Sequence, residues 1–209
     1  MLHISVYILD SHELSGHEDA CASLVAAAYQ PRPKDARLDR LERLGSGLLL
    51  AHVLGVTDDS RLALSPHGKP RLSQPGAPHF NLSHDAGLIG LAVASEPVGI
   101  DVQAIGIADE SVVSRFFPLD AQAEFLEASM DRKPLVFAHH WTVLEACLKA
   151  HGTGFDIGRD EILGIVSQWA TQTWQHAGAF MISCAAAHPF ELSIHELAFD
   201  CGHLHERAT

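Results

Sequence analysis

In the run WTVLEACLKAHGTGF (141–155), Trp141, Glu145 and Lys149 are spaced by four and share one face of a helix. An isolated Glu-x-x-x-Lys is ordinarily a solvated ion pair of small energy. A second carboxylate changes that reading. Asp101 ends the apolar segment VGID, and a carboxylate in such a segment is rare unless it is paired or metal-bound. Asp101 and Glu145 together offer oxygen ligands to one hard divalent cation. Mg²⁺ takes one or two carboxylates and fills its octahedron with water and substrate phosphates. Lys149, Lys69 in HGKPRL (67–72) and His84 in FNLSHD (80–85) would bring positive charge to a phosphate, as charge developing on non-bridging oxygens requires.

These groups need elements to hold them. HISVYIL (3–9) reads as an opening strand, and 17–29, rich in Ala and Leu, as a helix that QPRPKD interrupts. From 35 to 53, Leu38, Leu41, Leu44, Leu48 and Leu49 recur at helical steps with Arg37, Arg40 and Arg43 between them, an amphipathic helix with basic flanks. A Pro-, Gly- and Ser-rich loop covers 57–78, followed by buried strands at 88–95 and 98–102. The second half starts with a Phe-rich turn at 115–118 and a helix over 120–130. A longer helix over 134–151 follows, closed by Gly152, with Val136, Phe137, Trp141, Leu144 and Leu148 as its buried stripe. Apolar stretches at 162–167, 179–187 and 192–199 read as strands, and CGHLHERAT as a polar tail. Helices precede strands in each half, so the expected class is α+β with a duplication, divided into 1–97 and 98–209.

Composition bounds the function. The 209 residues are 47% hydrophobic and 19% charged, which excludes a disordered or collagen-like chain. A formal charge of −12 argues against general affinity for nucleic acid or an anionic membrane, so an anionic ligand must meet a local basic site. Four Cys without a C-x-x-C pair, an N-terminal MLHISVYILDSHE without a basic leader, and no apolar run of membrane-spanning length lead to the expectation of a soluble cytoplasmic protein. Ser83-His84-Asp85 has the residue types of a hydrolytic triad, but neighbours on an extended strand face opposite ways. Cys201, His203 and His205 lack a fourth zinc ligand at useful spacing. Cys147 reads as a packing residue, and His139-His140 as flanking the buried helix face without chemistry.

Four motifs, in this order and spacing, resemble the 4′-phosphopantetheinyl transferases of the larger, surfactin-synthetase-activator type. They are Gly68-Lys69-Pro70, Phe80-Asn81-Leu82-Ser83-His84, Gly99-Ile100-Asp101-Val102-Gln103, and Trp141, Glu145 and Lys149 followed by Gly152-Thr153-Gly154. Arg115-Phe116-Phe117 and ISCAAAHP (182–189) are also similar to the family, so the likeness covers most of 60–190. The resemblance implies a pseudo-dimer of two similar α+β halves with the active site in the cleft between them. It also implies transfer of the phosphopantetheine arm of coenzyme A to a Ser of an apo acyl or peptidyl carrier protein, releasing adenosine 3′,5′-bisphosphate. By the same resemblance Asp101 and Glu145 would bind Mg²⁺. Glu145 would take the Ser proton, Lys149 would neutralise phosphate and leaving-group charge, and Lys69, Ser83 and His84 would hold the nucleotide end of coenzyme A. The alternative is a family member acting only as a coenzyme A or carrier-protein binding module.

Two departures stand out. Position 103, often a Glu serving as third metal ligand in the family, is the neutral Gln103, so Gln103→Glu is expected to tighten Mg²⁺ activation. The family's basic residues for the nucleotide 3′-phosphate find no counterpart by motif. Arg32, Arg37 and Arg40 are candidates, with Arg61 and Arg71 further ones. A chain holding both halves is expected to be a monomer.

Overall fold

The structure is a computed structural model that describes residues 1–200 and 202–207. Alternation organises its first strand. Along β1 (Leu2–Asp10), Ile4, Val6 and Ile8 pack into one core, while Tyr7 and Leu9 belong to another on the opposite face. The chain continues through α1 (Glu18–Ala22), α2 (Arg37–Leu54), β2 (Leu62–Leu64), β3 (Pro70–Leu72), β4 (His79–Asp85), β5 (Leu88–Ala94) and β6 (Val98–Ala104). Then come α3 (Glu110–Phe116), α4 (Leu119–Glu127), α5 (Lys133–His151), α6 (Arg159–Gln168), β7 (Ala170–His176), β8 (Phe180–Ala186), β9 (Phe190–Asp200) and β10 (His203–Glu206). The class is mixed α and β, as expected. No helix among the described residues is long and apolar enough to cross a membrane.

A five-stranded sheet has the order β10-β9-β1-β5-β4, with β1 and β9 parallel and the other pairs antiparallel. A three-stranded antiparallel sheet has the order β6-β8-β7, and β2 and β3 form a separate hairpin. The layers follow from the cores. Leu41, Leu44, Leu48 and Leu49 of α2 cover one face of the larger sheet. Its other face, with Ile4, Val6 and Ala92, packs on Ile100, Val102, Ile182 and Cys184 of the smaller sheet. Beyond that sheet, Leu144, Ala146, Cys147 and Leu148 of α5 join Phe117, Phe125 and Ile162 in a third core. Although β9 and β10 come late in the chain, they complete the larger sheet, because Leu197, Phe199 and Leu204 pack into the α2 core.

Several expectations are corrected. The stretch 162–167 belongs to the helix α6, not a strand. A six-residue apolar run does not discriminate by itself, whereas Asp160 and Glu161 in the first turn and the spacing of Ile162, Ile165 and Trp169 suit a helix. The expected helix over 17–29 shortens to α1, with a separate 3₁₀ turn at Ala27–Tyr29. The supposed turn at 115–118 holds the end of α3, and the supposed polar tail contains β10. The Cys201 part of the rejected zinc reading lies outside the described residues. β7 carries little apolar alternation, since ATQTWQH is polar on the exposed side of an edge strand.

Candidate active site

The two sheets meet along β4 and β6 without a backbone ladder between them. Alternate side chains of β4 supply the missing acceptors instead. The N–H groups of Ile100, Val102 and Ala104 donate to Asn81 Oδ1 (2.9 Å), Ser83 Oγ (3.2 Å) and Asp85 Oδ2 (2.7 Å). The period of two along a strand puts residues 81, 83 and 85 on one face, and each satisfies one otherwise orphaned donor of an edge strand. Three residues of the FNLSHD motif therefore have a structural reason to be polar.

On β6 the same period sends Ile100 and Val102 into the inter-sheet core and aligns Gly99, Asp101 and Gln103 on the other face. Gly99 is where the helix touches. A Cβ built there would lie 1.9 Å from the Ala146 carbonyl oxygen and 2.5 Å from the Ala150 nitrogen, so only glycine lets α5 lie this close. The close approach, with the four-residue spacing along α5, brings Glu145 and Lys149 onto Asp101. Lys149 Nζ lies 2.5 Å from Asp101 Oδ1 and 3.4 Å from Glu145 Oε2. It also donates to Ser83 Oγ at 3.0 Å, and Ser83 Oγ donates to Asp101 Oδ1 at 2.9 Å. Four residues from three distant motifs thus form one hydrogen-bonded cluster.

Asp101 is only 4% exposed. Burial pushes its carboxyl up to about 6; Lys149 and Ser83 pull it down and Glu145 adds to the rise. The cluster's charges, two carboxylates against one ammonium, sum to one negative charge. Both side-chain hydrogen bonds of Asp101 fall on Oδ1. Gln103 Nε2 donates to Asp85 Oδ2 at 3.0 Å, so its amide oxygen remains the acceptor. Carboxylate oxygens from Asp101 and Glu145 with the amide oxygen of Gln103 are the hard donor types Mg²⁺ takes. No group of three or more His, Cys, Asp or Glu among the described residues forms a ready metal cage.

The three residues expected to hold coenzyme A are not side by side. Ser83 is buried in the cluster. Lys69 Nζ donates to the main-chain oxygens of Lys149 (2.6 Å) and Val98 (2.9 Å), tying the 65–70 turn to α5 and β6. Burial, with a smaller push from Lys149, lowers its ammonium to about 8. His84, one residue from Ser83 on the strand, faces the α2 side and pairs with Glu42. Beside Lys69 a cavity of about 710 Å³ is lined by His67, Arg71, His79 and His151. Of the candidate arginines, Arg71 lines that cavity, Arg37 and Arg40 line a different one beside α1, and Arg61 donates to the Gly55 carbonyl.

Neighbouring side chains complete the support. Thr142 Oγ1 and Ser183 Oγ share a hydrogen bond of 2.7 Å, and Thr173 Oγ1 meets Ser183 Oγ at 2.8 Å, pinning α5 to the smaller sheet opposite Asp101. Trp141 stacks between Phe137 and Phe155, bracing the turn after α5. Cys147 is buried, and desolvation pushes its thiol up to about 12, so it stays protonated.

Comparison with known proteins finds similarity over the region that carries this geometry. Residues 97–195 match the 4′-phosphopantetheinyl transferase superfamily. Over 102 residues the chain is 34% identical to the 4′-phosphopantetheinyl transferase psf-1 of Bacillus pumilus, covering 49% of this chain and 44% of that one. It is 28% identical over 102 residues to the 4′-phosphopantetheinyl transferase Sfp of Bacillus subtilis, covering 49% and 46%. Over 121 residues it is 36% identical to the 4′-phosphopantetheinyl transferase HetI of a Nostoc species, covering 53% and 51%. The chain spans about half the length of these relatives. Asp101, Glu145 and Lys149 all lie inside the matched region and gather at one point, so the part of the chain that is similar to the 4′-phosphopantetheinyl transferase superfamily, Sfp among its relatives, is the part that builds the cluster.

Proposed function

We propose that the protein transfers the 4′-phosphopantetheine arm of coenzyme A to a Ser hydroxyl of an apo acyl or peptidyl carrier protein, releasing adenosine 3′,5′-bisphosphate. The observation that carries this reading is the junction of Asp101, Glu145, Lys149 and Ser83 where α5 crosses β6 and β4. This reading takes the chain as two α+β halves, 1–97 and 98–209, with β9 and β10 of the second completing the sheet of the first, and puts the site in the cleft between them.

In the reaction the Ser oxygen bonds to the phosphorus that carries pantetheine, and the bond from that phosphorus to the bridging oxygen breaks. Glu145, paired with Lys149 and one-fifth exposed at its side chain, would accept the Ser proton. Lys149, anchored by Asp101 and Ser83, sets an oriented positive charge where the leaving phosphate gains its negative charge. Asp101, Glu145 and Gln103 would hold Mg²⁺, which when bound polarises the pyrophosphate oxygens. Lys69 shapes the cavity wall from its two carbonyl anchors, Arg71 gives that cavity a positive charge, and His79, whose imidazole burial holds below its ordinary value, offers it a ring nitrogen.

The test is the intact mass of apo carrier proteins incubated with the protein, coenzyme A and Mg²⁺, with a chelated control. A metal-dependent gain of one phosphopantetheine arm is expected, and a folded Glu145→Gln variant should lose at least a hundredfold in rate. Coenzyme A binding without any mass gain would assign the chain to a binding role instead. Full turnover by the variant would remove Glu145 from the proton transfer.

A further inference from the structure

Glu42 is a carboxylate in the middle of the leucine-rich helix α2 and is 6% exposed. A buried carboxylate is costly unless its oxygens are partnered. Here each oxygen has one partner. Oε1 accepts from the Gly87 N–H at 2.9 Å, and Oε2 lies 3.0 Å from His84 Nδ1. Gly87 ends the two-residue turn between β4 and β5, where Ala86 and Gly87 both have positive φ (47° and 92°). One side chain therefore ties α2 to the tip of the β4–β5 hairpin and to the ring of His84. The imidazole is half exposed and lines a recess of about 240 Å³ with Tyr29, Asp35, Asp39, Arg43 and Ser46, in which Arg43 is paired with Asp35 at 3.1 Å.

We infer that Glu42 is a positioning residue for His84: its carboxylate holds the proton on Nδ1 and turns Nε2 toward the recess as the nitrogen offered to a phosphate of the nucleotide substrate. The inference rests on the proposed function and on the coenzyme A contact that the family resemblance implies for His84. A carboxylate on one ring nitrogen sets both the tautomer and the ring orientation presented by the other. The alternative role, in which Glu42 merely anchors the hairpin, needs only the Gly87 bond and leaves the His84 contact without purpose.

Two measurements separate these roles. In ¹⁵N spectra of the intact protein, the His84 ring should show its proton on Nδ1 at alkaline pH. A ring protonated on Nε2 instead would overturn the inference, whatever the variants do. Coenzyme A titrated calorimetrically into wild type, Glu42→Gln, His84→Ala and the double variant should then show coupling. Gln keeps an acceptor for Gly87, so this variant should fold, with melting as the control. Each single change should weaken binding about tenfold, and the double no further than His84→Ala alone, because Glu42 acts through His84. Additive losses in the double variant, or wild-type affinity in folded Glu42→Gln, would refute the role. Should Glu42→Gln fail to fold, Glu42→Asp takes its place; too short to span both partners, it should also bind more weakly, and unchanged affinity refutes the role equally. A wild-type protein that does not bind coenzyme A would overturn the functional reading itself.

Discussion

Replacing Asp101 by Asn removes one titrating proton from the site yet leaves an oxygen that Ser83 and Lys149 can still meet. In the folded protein, burial raises the Asp101 carboxyl from an ordinary 3.8 to about 6, with Lys149 working against the rise. The native state therefore keeps a proton that the unfolded chain has already lost, and the Asp101 contribution to wild-type stability falls as pH climbs from about 4 to about 6, then levels off. A shift of this size corresponds to roughly 3 kcal/mol. The Asn variant lacks this term. Its stability relative to wild type should rise by roughly that amount across the window, or about 7 °C in melting temperature for a chain of this length. The assay is urea or thermal denaturation of both proteins from pH 4 to 7.5 with chelator present. Parallel stability profiles would refute the reasoning, because they would show Asp101 ionising as freely in the fold as out of it. Adding Mg²⁺ at pH 7 should raise the melting temperature of wild type and not of the variant, since a cation binds the charged carboxylate in the native state alone.

Two further perturbations test the frame around the cluster. Gly99→Ala sets a methyl against the Ala146 carbonyl and the Ala150 nitrogen, main-chain atoms that cannot rotate aside, so α5 must lift from β6. A loss of about 3 kcal/mol in urea denaturation and at least a tenfold fall in transfer rate are expected, whereas wild-type melting would deny the contact. Gln103→Glu replaces the amide that donates to Asp85 with a like charge, so alone it should destabilise the protein by about 1 kcal/mol and gain little Mg²⁺ affinity. Combined with Asp85→Asn it should tighten calorimetric Mg²⁺ binding about tenfold; equal tightening by the single change would show that Asp85 does not restrain position 103.

Much of the site is legible because its residues obey local periods. The four-residue spacing of Trp141, Glu145 and Lys149 survives folding intact, since a helix face depends on the chain alone. The alternation in VGIDV likewise places Asp101 on the face away from Ile100 and Val102. Other elements were harder to read for physical reasons. The run ILGIVS is too short for its period to separate helix from strand, and β7 and β10 are strands whose polar residues face solvent. Position 42 offered no signal, because a Glu among leucines and arginines of an amphipathic helix looks like part of the solvated face.

The sequence alone singled out Asp101, Glu145 and Lys149 as candidates, the mixed α and β class and the strand and helix faces that hold them, because these follow from residue type and short-range periodicity. Tertiary structure alone decided that α5 reaches β6 through Gly99, that β4 replaces a missing ladder with Asn81, Ser83 and Asp85, and that Lys69 spends its donors on two carbonyls. It also turned Ser83 and His84, neighbours in the chain, to opposite sides of one strand, one onto Asp101 and the other onto Glu42. Those partners lie 18 and 42 residues away. Contacts at such separation depend on how sheets and helices pack, which no local pattern encodes.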